Sequence, residues 1–499
     1  MKLLNAQQIK SWDNYTIKKE PVASIDLMER AATSFTDWYL QQPQFQHQDI
    51  IIFCGNGNNG GDGLAIARML RDKSYHVVVY VLRFVKEDSV DFDVNLGRLM
   101  NYGDVKVHFI HEQIPDLPSG AMVIDALLGY GVNKPTSGML SQLIKSINLV
   151  ATHKVISVDM PSGLPSEGLA TGDVVLADEV FTFQLPKLSF FLKEHQNYVK
   201  KWVVGDIQLH PDYQASADSV YFLTDHELAL SLHKNRTDFQ HKGDFGHALI
   251  IAGCEGKIGA AILATKACLR AGAGLVTAMV PETMQQVFYG SIPEAMVSIS
   301  GQTCFSTDHA EFDVDNTIGC GPGLGKDIST EKALIKLLNE VKNPMVLDAD
   351  ALNIVAKEKH LLKLIPKFSI ITPHPKEFER LFGKTANSEE MFELQRKKSM
   401  EYDLIIVLKG AYTRISTPEG KVFINSTGNP GMATGGTGDV LTGIITGLLA
   451  QKYNPEEAAV LGVFIHGLAG DIALDKESHE SLLASDIILN IGAAFKTLV

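Results

Sequence analysis

The chain has 499 residues, more than one hydrophobic core usually serves, so two domains are expected. Hydrophobic residues make up 45% and charged residues 21% of the chain, a composition typical of globular rather than disordered proteins. The net charge of -13 argues against nonspecific nucleic-acid binding, which needs clustered lysine and arginine. The short basic run 396–398 fits a solvated helix face. No apolar run is long enough to span a bilayer, so no membrane segment is predicted.

Cysteine usage and the first ten residues indicate a location. The five cysteines are scattered without a CxxC pair, which favours buried free thiols over disulfides or a zinc site. The first ten residues lack the pattern of a signal peptide. We therefore predict a reducing, cytoplasmic environment.

The first half alternates short apolar strands with helical stretches. The strand candidates are residues 50–53, 76–82, 122–124, 155–158 and 180–183, with a crossover helix at 64–71. This alternation predicts βαβ units and a parallel sheet. Between residues 205 and 240 the pattern loosens, and the segment 210–218 is polar and without periodicity. A domain boundary near residue 222 follows, giving domains 1–222 and 223–499.

The second half restarts the alternation. Its strand candidates are residues 247–251, 275–280, 345–347, 369–371 and 404–408. A shorter pair, 414–416 and 421–424, flanks a Pro-Glu-Gly turn and predicts a hairpin. The second domain is therefore also α/β, with a mixed sheet.

The sharpest feature of the first domain is the glycine-rich run 55–63, GNGNNGGDG, between a buried strand and a helix. Gly55, Gly57 and Gly60 match GxGxxG, but redox dinucleotide domains carry an acid at the end of the next strand, where this chain has Arg83. Ordinary redox NAD binding is therefore disfavoured. The glycines and the helix N-terminus still suit a phosphate-bearing ligand, against the alternative of a bare glycine turn.

Two further strand ends carry acids. Asp125 precedes the loop LLGYG, and Asp159 precedes MPSG. Each alone could be a helix cap, but the ends of parallel strands share one edge, where ligands bind. Three such loops at one edge predict a site.

The motifs GNGNNGGDG, DALLGYG and DMPSG resemble the YjeF N-terminal family of NAD(P)H-hydrate epimerases. The resemblance implies hydrate contacts at Asn58, Asn59, Gly60, Gly61, Asp62, Gly129, Tyr130, Gly131, Val132, Asn133, Lys134 and Pro135. It implies that Asp159 contacts the reacting ring and that Asn59, Asp125 and Ser162 hold a potassium ion. As a hypothesis, Asp159 carries the proton in epimerisation. Lys187 either assists it or is a solvated loop lysine.

In the second domain, the run 429–439, NPGMATGGTGD, precedes an apolar helix. Free N–H groups at such a helix start form an anion hole, and Asp439 beside it can accept the proton of an attacking hydroxyl. This arrangement is typical of ribokinase-like phosphoryl transfer, and no Walker A ending occurs here. The alternative is a glycine loop closed by Asp439 as a cap.

Other strand ends of this domain support a site. Lys409 to Thr413 could hold nucleotide phosphates or base, and 319–325 is a second glycine loop. Asp348 and Asp350 could orient metal-bound water or act as caps. His374 lies in a stiff loop between prolines, with a functional and a structural role equally open.

These motifs, with KGDFGH at 242–247 and IGAA at 258–261, resemble the YjeF C-terminal family of nucleotide-dependent NAD(P)H-hydrate dehydratases in the ribokinase superfamily. The resemblance implies a Rossmann-like parallel three-layer sandwich followed by a ribokinase-like α/β domain. It implies substrate contacts at Ala260, Gly323, His374 and Asp439, and nucleotide contacts at Lys409, Gly410, Ala411, Tyr412, Thr413 and Gly438.

The resemblance predicts a two-step repair of the hydrates of NADH and NADPH. The first domain interconverts the R and S hydrates. The second domain phosphorylates the S hydrate and eliminates phosphate, with Mg²⁺ and with ADP as donor, ATP being left open. A homo-oligomer is also implied. Two alternatives remain: a small-molecule kinase with an accessory nucleotide-binding domain, and a non-enzymatic RNA-binding scaffold, which the acidic charge and the retained acids disfavour.

Overall fold

The computed structural model describes residues 1–45, 49–117, 120–149, 154–307 and 313–499. These residues form two compact units. The N-terminal unit comprises Lys2–Ser219 with Asn387–Glu389, and the C-terminal unit comprises Val220–Ala386 and Glu390–Val499 with Met1. The predicted domain boundary near residue 222 falls inside the strand Tyr221–Thr224. That this boundary also separates two activities stays a prediction.

The N-terminal unit alternates strands with helices. In chain order its elements are α1 (Ala6–Lys19), α2 (Ser24–Leu40), β1 (Ile50–Gly55), α3 (Asn58–Asp72), β2 (Val77–Leu82), α4 (Val90–Met100), β3 (Lys106–Ile110), β4 (Met122–Ala126), α5 (Gly138–Leu149), β5 (Lys154–Val158), β6 (Glu179–Phe183), β7 (Trp202–Gly205) and α6 (Pro211–Ser216). Short 3₁₀ turns lie at Pro43–Phe45, Leu188–Phe191 and Lys193–His195.

Within the described residues, the sheet of this unit has seven strands in the order β3-β2-β1-β4-β5-β6-β7. Every neighbouring pair is parallel, as predicted. All residues of the central strands β1 and β4 are buried, which is why these strands are apolar apart from Asp125 near the end of β4. The predicted strands and the crossover helix are confirmed, and β3 and β7 are additions at the sheet edges.

The C-terminal unit has the same alternation. Its elements are β8 (Tyr221–Thr224), α7 (His226–Leu232), β9 (His247–Ile251), α8 (Ile258–Arg270), β10 (Leu275–Val280), α9 (Gln285–Ser291), β11 (Met296–Ile299), β12 (Thr317–Cys320), α10 (Ile328–Glu340), β13 (Val346–Leu347), α11 (Ala349–Lys357), β14 (Ile370–Ile371), α12 (Pro375–Phe382), α13 (Ser388–Tyr402), β15 (Ile405–Leu408), β16 (Arg414–Ser416), β17 (Val422–Asn425), α14 (Thr437–Ala450), α15 (Pro455–Ala473) and α16 (Ala484–Lys496). Short 3₁₀ turns lie at Glu282–Met284, Lys359–Lys363 and Pro430–Met432.

In the part of the chain that the structure describes, this unit has a ten-stranded sheet in the order β11-β10-β9-β12-β13-β14-β15-β16-β17-β8. Strands β15, β16 and β17 pair antiparallel and the other pairs are parallel. The predicted mixed sheet and hairpin are confirmed. The apolar helix α14 packs closely against α8 and α15 and contributes most of its residues to the core.

The segment 210–218 is not the irregular linker that its polar composition indicates. The His210 side chain caps α6, Pro211 occupies its first turn, and β8 follows within a few residues. No helix among the described residues is long and apolar enough to cross a membrane.

Candidate active sites

The first candidate site lies where the strand order of the N-terminal unit reverses, between β1 and β4. A pocket of about 480 Å³ opens at the carboxyl ends of β1, β4, β5 and β6, and α1 and α2 complete its wall. The predicted residues that line it are Asn58, Asn59, Asp62, Gly129, Tyr130, Gly131, Asp159 and Lys187. The three predicted loops therefore converge on one cavity.

Asp159 and Lys187 form a buried ion pair in this pocket. The Lys187 ammonium lies 2.5 Å from Asp159 Oδ1, and the two side chains are 1% and 5% exposed. The backbone N–H groups of Phe183 and Tyr130 also donate to the Asp159 carboxylate, at 3.3 and 3.2 Å. Asp159 has a φ of 64°. Lys187 is therefore paired and buried, and it is not a solvated loop lysine.

Asp125 lies beneath the pocket and is fully buried. Its carboxylate accepts hydrogen bonds from the Ser162 N–H at 2.8 Å and the Ser157 hydroxyl at 2.8 Å, and from the Ser162 hydroxyl at 2.5 Å. Burial raises the pKa of Asp125, and the Ser162 hydrogen bonds oppose that rise. Asp125 therefore ties the loop after β5 to the end of β4, and it is not a helix cap.

Helix α3 follows the glycine-rich loop after β1 and requires glycine in its first turn. A Cβ at Gly60 would lie 1.7 Å from the carbonyl oxygen of Gly55, so no larger residue fits. Gly60 and Gly61 are buried in the first turn of α3 and do not line the pocket. Val132, Asn133, Lys134 and Pro135 also lie outside the lining; Asn133, Lys134 and Pro135 are exposed and Val132 is half-buried.

Two further carboxyl groups in the pocket have raised pKa values. Burial and the nearby charge of Asp159 raise the pKa of Asp62 well above its ordinary value. Burial raises the pKa of Asp13 to about 6, although a hydrogen bond from the Tyr130 hydroxyl lowers it. The sequence reasoning missed Asp13, because it lies inside helix α1 with no motif around it.

The second candidate site lies along the carboxyl ends of the adjacent parallel strands β9, β12, β13, β14 and β15. Gly323, in the loop after β12, packs against α8, because a Cβ added there would lie 3.0 Å from Ala260 Cβ. Two predicted substrate contacts are thus neighbours.

Asp439 lies in the first turn of α14, and the cap of that helix is Gly436. Gly436 has a φ of 94°, and a Cβ there would lie 2.6 Å from Leu263. Burial and the charge of Asp348 raise the pKa of Asp439 to about 6, and Lys409 opposes that rise. Asp439 is therefore not the cap of this helix, and its proton affinity suits a base near neutral pH.

Lys409 and Asp348 form the centre of this edge. The Lys409 ammonium donates to Asp348 at 2.8 Å, and the Thr442 hydroxyl of α14 donates to the other Asp348 oxygen at 2.8 Å. A Cβ at Gly438 would lie 3.3 Å from the Lys409 ammonium, so the start of α14 lies next to this lysine. Beyond Lys409, the Thr413 hydroxyl donates to the Gly410 carbonyl at 3.1 Å and closes the turn Gly410, Ala411, Tyr412, in which Gly410 and Ala411 are exposed and Tyr412 is half-buried.

Asp350 faces two lysines. Lys257 donates to it at 3.1 Å, Lys326 lies 3.7 Å away, and the Gly325 N–H donates at 3.0 Å. Among the described residues, no group of three or more His, Cys, Asp or Glu side chains is placed to hold a metal ion.

His374 is the last residue of the loop after β14, directly before helix α12, as the sequence predicted for a loop histidine. It is the cap of α12, where its Nδ1 accepts from the Lys376 and Glu377 N–H groups. Burial lowers the pKa of His374, as does nearby Lys409. The Glu377 carboxylate accepts from the His374 N–H at 2.9 Å, and burial raises the pKa of Glu377. The capping pattern H-x-x-E in the sequence could have found this pair.

Two family models match the chain. One is described as YjeF-related protein N-terminus and matches residues 24–189. The other is described as NAD(P)H-hydrate dehydratase and matches residues 248–492.

Curated relatives match both halves together. The bifunctional NAD(P)H-hydrate repair enzyme Nnr of Moorella thermoacetica is 35% identical, over 98% of this chain and 95% of its own length. The enzyme of the same name from Escherichia coli is 33% identical, over 88% of this chain and 83% of its own length. Among solved structures, the ADP/ATP-dependent NAD(P)H-hydrate dehydratase of Bacillus subtilis, co-crystallised with ATP and Mg²⁺, is 30% identical with a TM-score of 0.50. That match covers 56% of this chain and 99% of the Bacillus protein.

Proposed function

This chain belongs to the family of bifunctional NAD(P)H-hydrate repair enzymes, and we propose that its two units divide the repair between them. The N-terminal unit interconverts the R and S hydrates of NADH and NADPH. The C-terminal unit dehydrates the S hydrate to NAD(P)H. The buried Asp159–Lys187 pair in the first pocket supports the assignment of epimerisation, and Asp439 at the start of α14 supports the assignment of dehydration.

In the N-terminal unit, the first turn of α3 supplies N–H groups and the Asn58 side chain for the phosphates of the substrate. The hydrated nicotinamide ring lies against Asp159. Epimerisation breaks the C–O bond of the ring hydroxyl as that oxygen takes a proton, and the ring nitrogen forms a C=N bond. Water then adds to the other face and gives up a proton. Asp159, positioned by its hydrogen bond from Lys187, accepts that proton.

Asn59, Asp125 and Ser162 fit a potassium site, because together they offer carboxamide, carboxylate and hydroxyl oxygens. The Asn59 side-chain nitrogen is buried without a partner among the described residues, and the opposite amide orientation would place an oxygen there. Potassium bound here would balance the charge of buried Asp125 and fix the loops after β4 and β5.

In the C-terminal unit, Asp439 removes the proton of the ring hydroxyl. The oxygen attacks the terminal phosphorus of the nucleotide, the P–O bond to the nucleotide breaks, and AMP leaves when the donor is ADP. The N–H groups at the start of α14 and the Lys409 ammonium receive the charge of the transferring group. The ring nitrogen then expels phosphate, and loss of a proton from the neighbouring carbon gives NAD(P)H.

Mg²⁺ would neutralise the nucleotide phosphates in this step. Asp348 and Asp350 are engaged by lysines, so they suit contact with its water shell better than direct ligation. The Bacillus structure with ATP and Mg²⁺ supports a nucleotide-bound ion. We propose ADP as the donor, with ATP as the comparison in the assays. A homo-oligomeric state and a cytoplasmic location stay predictions.

Oxygen labelling tests the proposed dehydration. Hydrate carrying ¹⁸O in its ring hydroxyl is given to the protein with ADP and Mg²⁺, and the products are separated by mass. Attack by the hydroxyl on phosphorus sends the label into inorganic phosphate. Label in water would show dehydration without phosphorylation. A stable phosphorylated nucleotide would show a kinase instead, and either result contradicts the proposed mechanism.

A further inference from the structure

Helix α1 brings a further carboxyl group, Asp13, into the pocket that contains Asp159. One tyrosine connects the two acids: the Tyr130 N–H donates to Asp159 Oδ2 at 3.2 Å, and the Tyr130 hydroxyl donates to Asp13 Oδ2 at 3.2 Å. Asp13 follows Trp12, a side chain that is only 1% exposed and fixes this turn of the helix. The position of Asp13 in the pocket is therefore defined by packing and by a hydrogen bond.

The two acids differ in the donors that surround them. Asp159 accepts from the Lys187 ammonium and from two backbone N–H groups, which stabilise its charge. Asp13 accepts from the neutral Tyr130 hydroxyl, and burial raises its pKa to about 6. The other charged groups of the pocket are Lys10, Asp62, Asp91 and Lys187. Two carboxyl groups in one cavity, one paired with an ammonium and the other hydrogen-bonded to a neutral hydroxyl, can serve as a base and an acid.

We propose that Asp13 is the second proton-transfer residue of the epimerase site, acting as the acid while Asp159 acts as the base. This inference rests on the epimerase function proposed above. Asp13 gives its proton to the ring hydroxyl, the C–O bond breaks and water leaves as the ring nitrogen forms the C=N bond. A water molecule adds to the opposite face and passes its proton to Asp159. Exchange of protons with solvent water then returns Asp13 to its protonated form and Asp159 to its ionised form, and the reverse conversion uses the two residues in exchanged roles.

The test compares Asp13→Asn with the unaltered full chain. Epimerisation is measured by chromatographic separation of the two hydrates, after subtraction of the rate without protein. The variant should lose about 10²- to 10⁴-fold in kcat, the usual contribution of a proton-transfer group, with little change in KM. Dehydration of the S hydrate by the same sample should keep its rate, which shows that the protein is folded. Asp37→Asn removes an exposed carboxylate of α2 outside this pocket and should leave both rates unchanged.

The pH profile separates proton transfer from a structural role. The unaltered enzyme should lose epimerase kcat/KM as pH rises through about 6, where Asp13 gives up its proton. Tyr130→Phe removes the hydrogen bond that lowers the pKa of Asp13, so the fall in epimerase kcat/KM should occur at a higher pH in this variant. Asp13→Glu should recover part of the rate lost in Asp13→Asn.

Unchanged epimerisation in Asp13→Asn would overturn the inference, as would a profile that Tyr130→Phe does not move. Absence of epimerisation in the unaltered chain would instead overturn the proposed function itself. The two failures are therefore distinguishable in one set of assays.

Discussion

Asp159 is held in a backbone conformation that few non-glycine residues adopt. Its φ is 64°, and the N–H of Met160 donates to the carbonyl of Val158 at 2.8 Å, which makes a three-residue turn around it. Such a conformation costs about 1–3 kcal/mol and persists only where the surroundings impose it. Here the Phe181 carbonyl, the Lys187 ammonium and two N–H groups fix the residue. These contacts therefore impose the strained conformation and keep the carboxylate in the pocket.

Lys187→Met tests the buried ion pair. Removing the ammonium leaves an uncompensated buried charge, so the free energy of unfolding of the N-terminal unit should fall by about 3–5 kcal/mol. Epimerisation should fall with it. All three tryptophans, Trp12, Trp38 and Trp202, belong to the N-terminal unit, so tryptophan fluorescence in urea follows its unfolding. The double variant Asp159→Asn with Lys187→Met should regain stability but not activity. Unchanged stability and epimerisation in the single variant would show that the pair has no such role.

The pKa of Asp439 predicts how dehydration depends on pH. A base must be ionised to work, and its pKa of about 6 means that the ionised fraction rises as pH increases through this value. Dehydration kcat/KM should therefore rise between about pH 5 and 7 and then level off. The S hydrate is the substrate for this measurement, so epimerisation does not enter. Asp439→Asn should lose dehydration across the whole range, and a rate in that variant equal to the unaltered rate would remove Asp439 as the base.

At the level of elements, both sites lie at the carboxyl ends of parallel strands, and strand order decides which loops meet. In the C-terminal unit, β13, β14 and β15 are adjacent, so Asp348, His374 and Lys409 follow neighbouring strands. Helix α14 then brings Asp439 to that edge, because its Thr442 hydroxyl bonds Asp348. The hydrogen bond from Thr442 to Asp348 therefore fixes the start of α14 against the edge of the sheet where Asp348 lies.

Gly436→Ala tests the start of α14. The left-handed φ and the 2.6 Å approach to Leu263 leave no room for a methyl group, so the anion hole should be displaced. Dehydration should fall by about tenfold or more, since one lost oxyanion donor alone costs about 10²-fold, while epimerisation should be unaffected. Gly492→Ala in α16 is the matched control, because a Cβ there meets open space. Equal dehydration rates in the two variants would contradict the assignment.

The sequence predicted most strands because their apolar runs are largely buried, and it missed the strands β3, β7, β8 and β11, whose burial is partial. Strand β3 alternates exposed and half-buried residues at a sheet edge, so it has no apolar run. Segment 210–218 forms α6 through a cap and a proline rather than through an apolar face. The glycine loops pointed to both candidate sites, whereas Asp13 comes from a distant helix, and only the tertiary fold brings it to Tyr130.

At the scale of the whole molecule, two activities in one chain follow from stereochemistry. A dehydratase that accepts only the S hydrate leaves the R hydrate unrepaired, and an epimerase in the same chain converts one into the other. Each unit has its own buried core and its own cluster of loops, so a change in one site should spare the other activity. Asp159→Asn should therefore stop epimerisation and spare dehydration.

One measurement tests the central claim directly. The full chain is mixed with both hydrates of NADH, potassium, Mg²⁺ and either ADP or ATP, and the return of dihydronicotinamide absorbance is followed. We predict that the absorbance returns completely and only with nucleotide, with ADP as the effective donor. In Asp159→Asn, the absorbance should return only in proportion to the S hydrate in the mixture. Absence of recovery with either nucleotide would contradict the assigned repair activity.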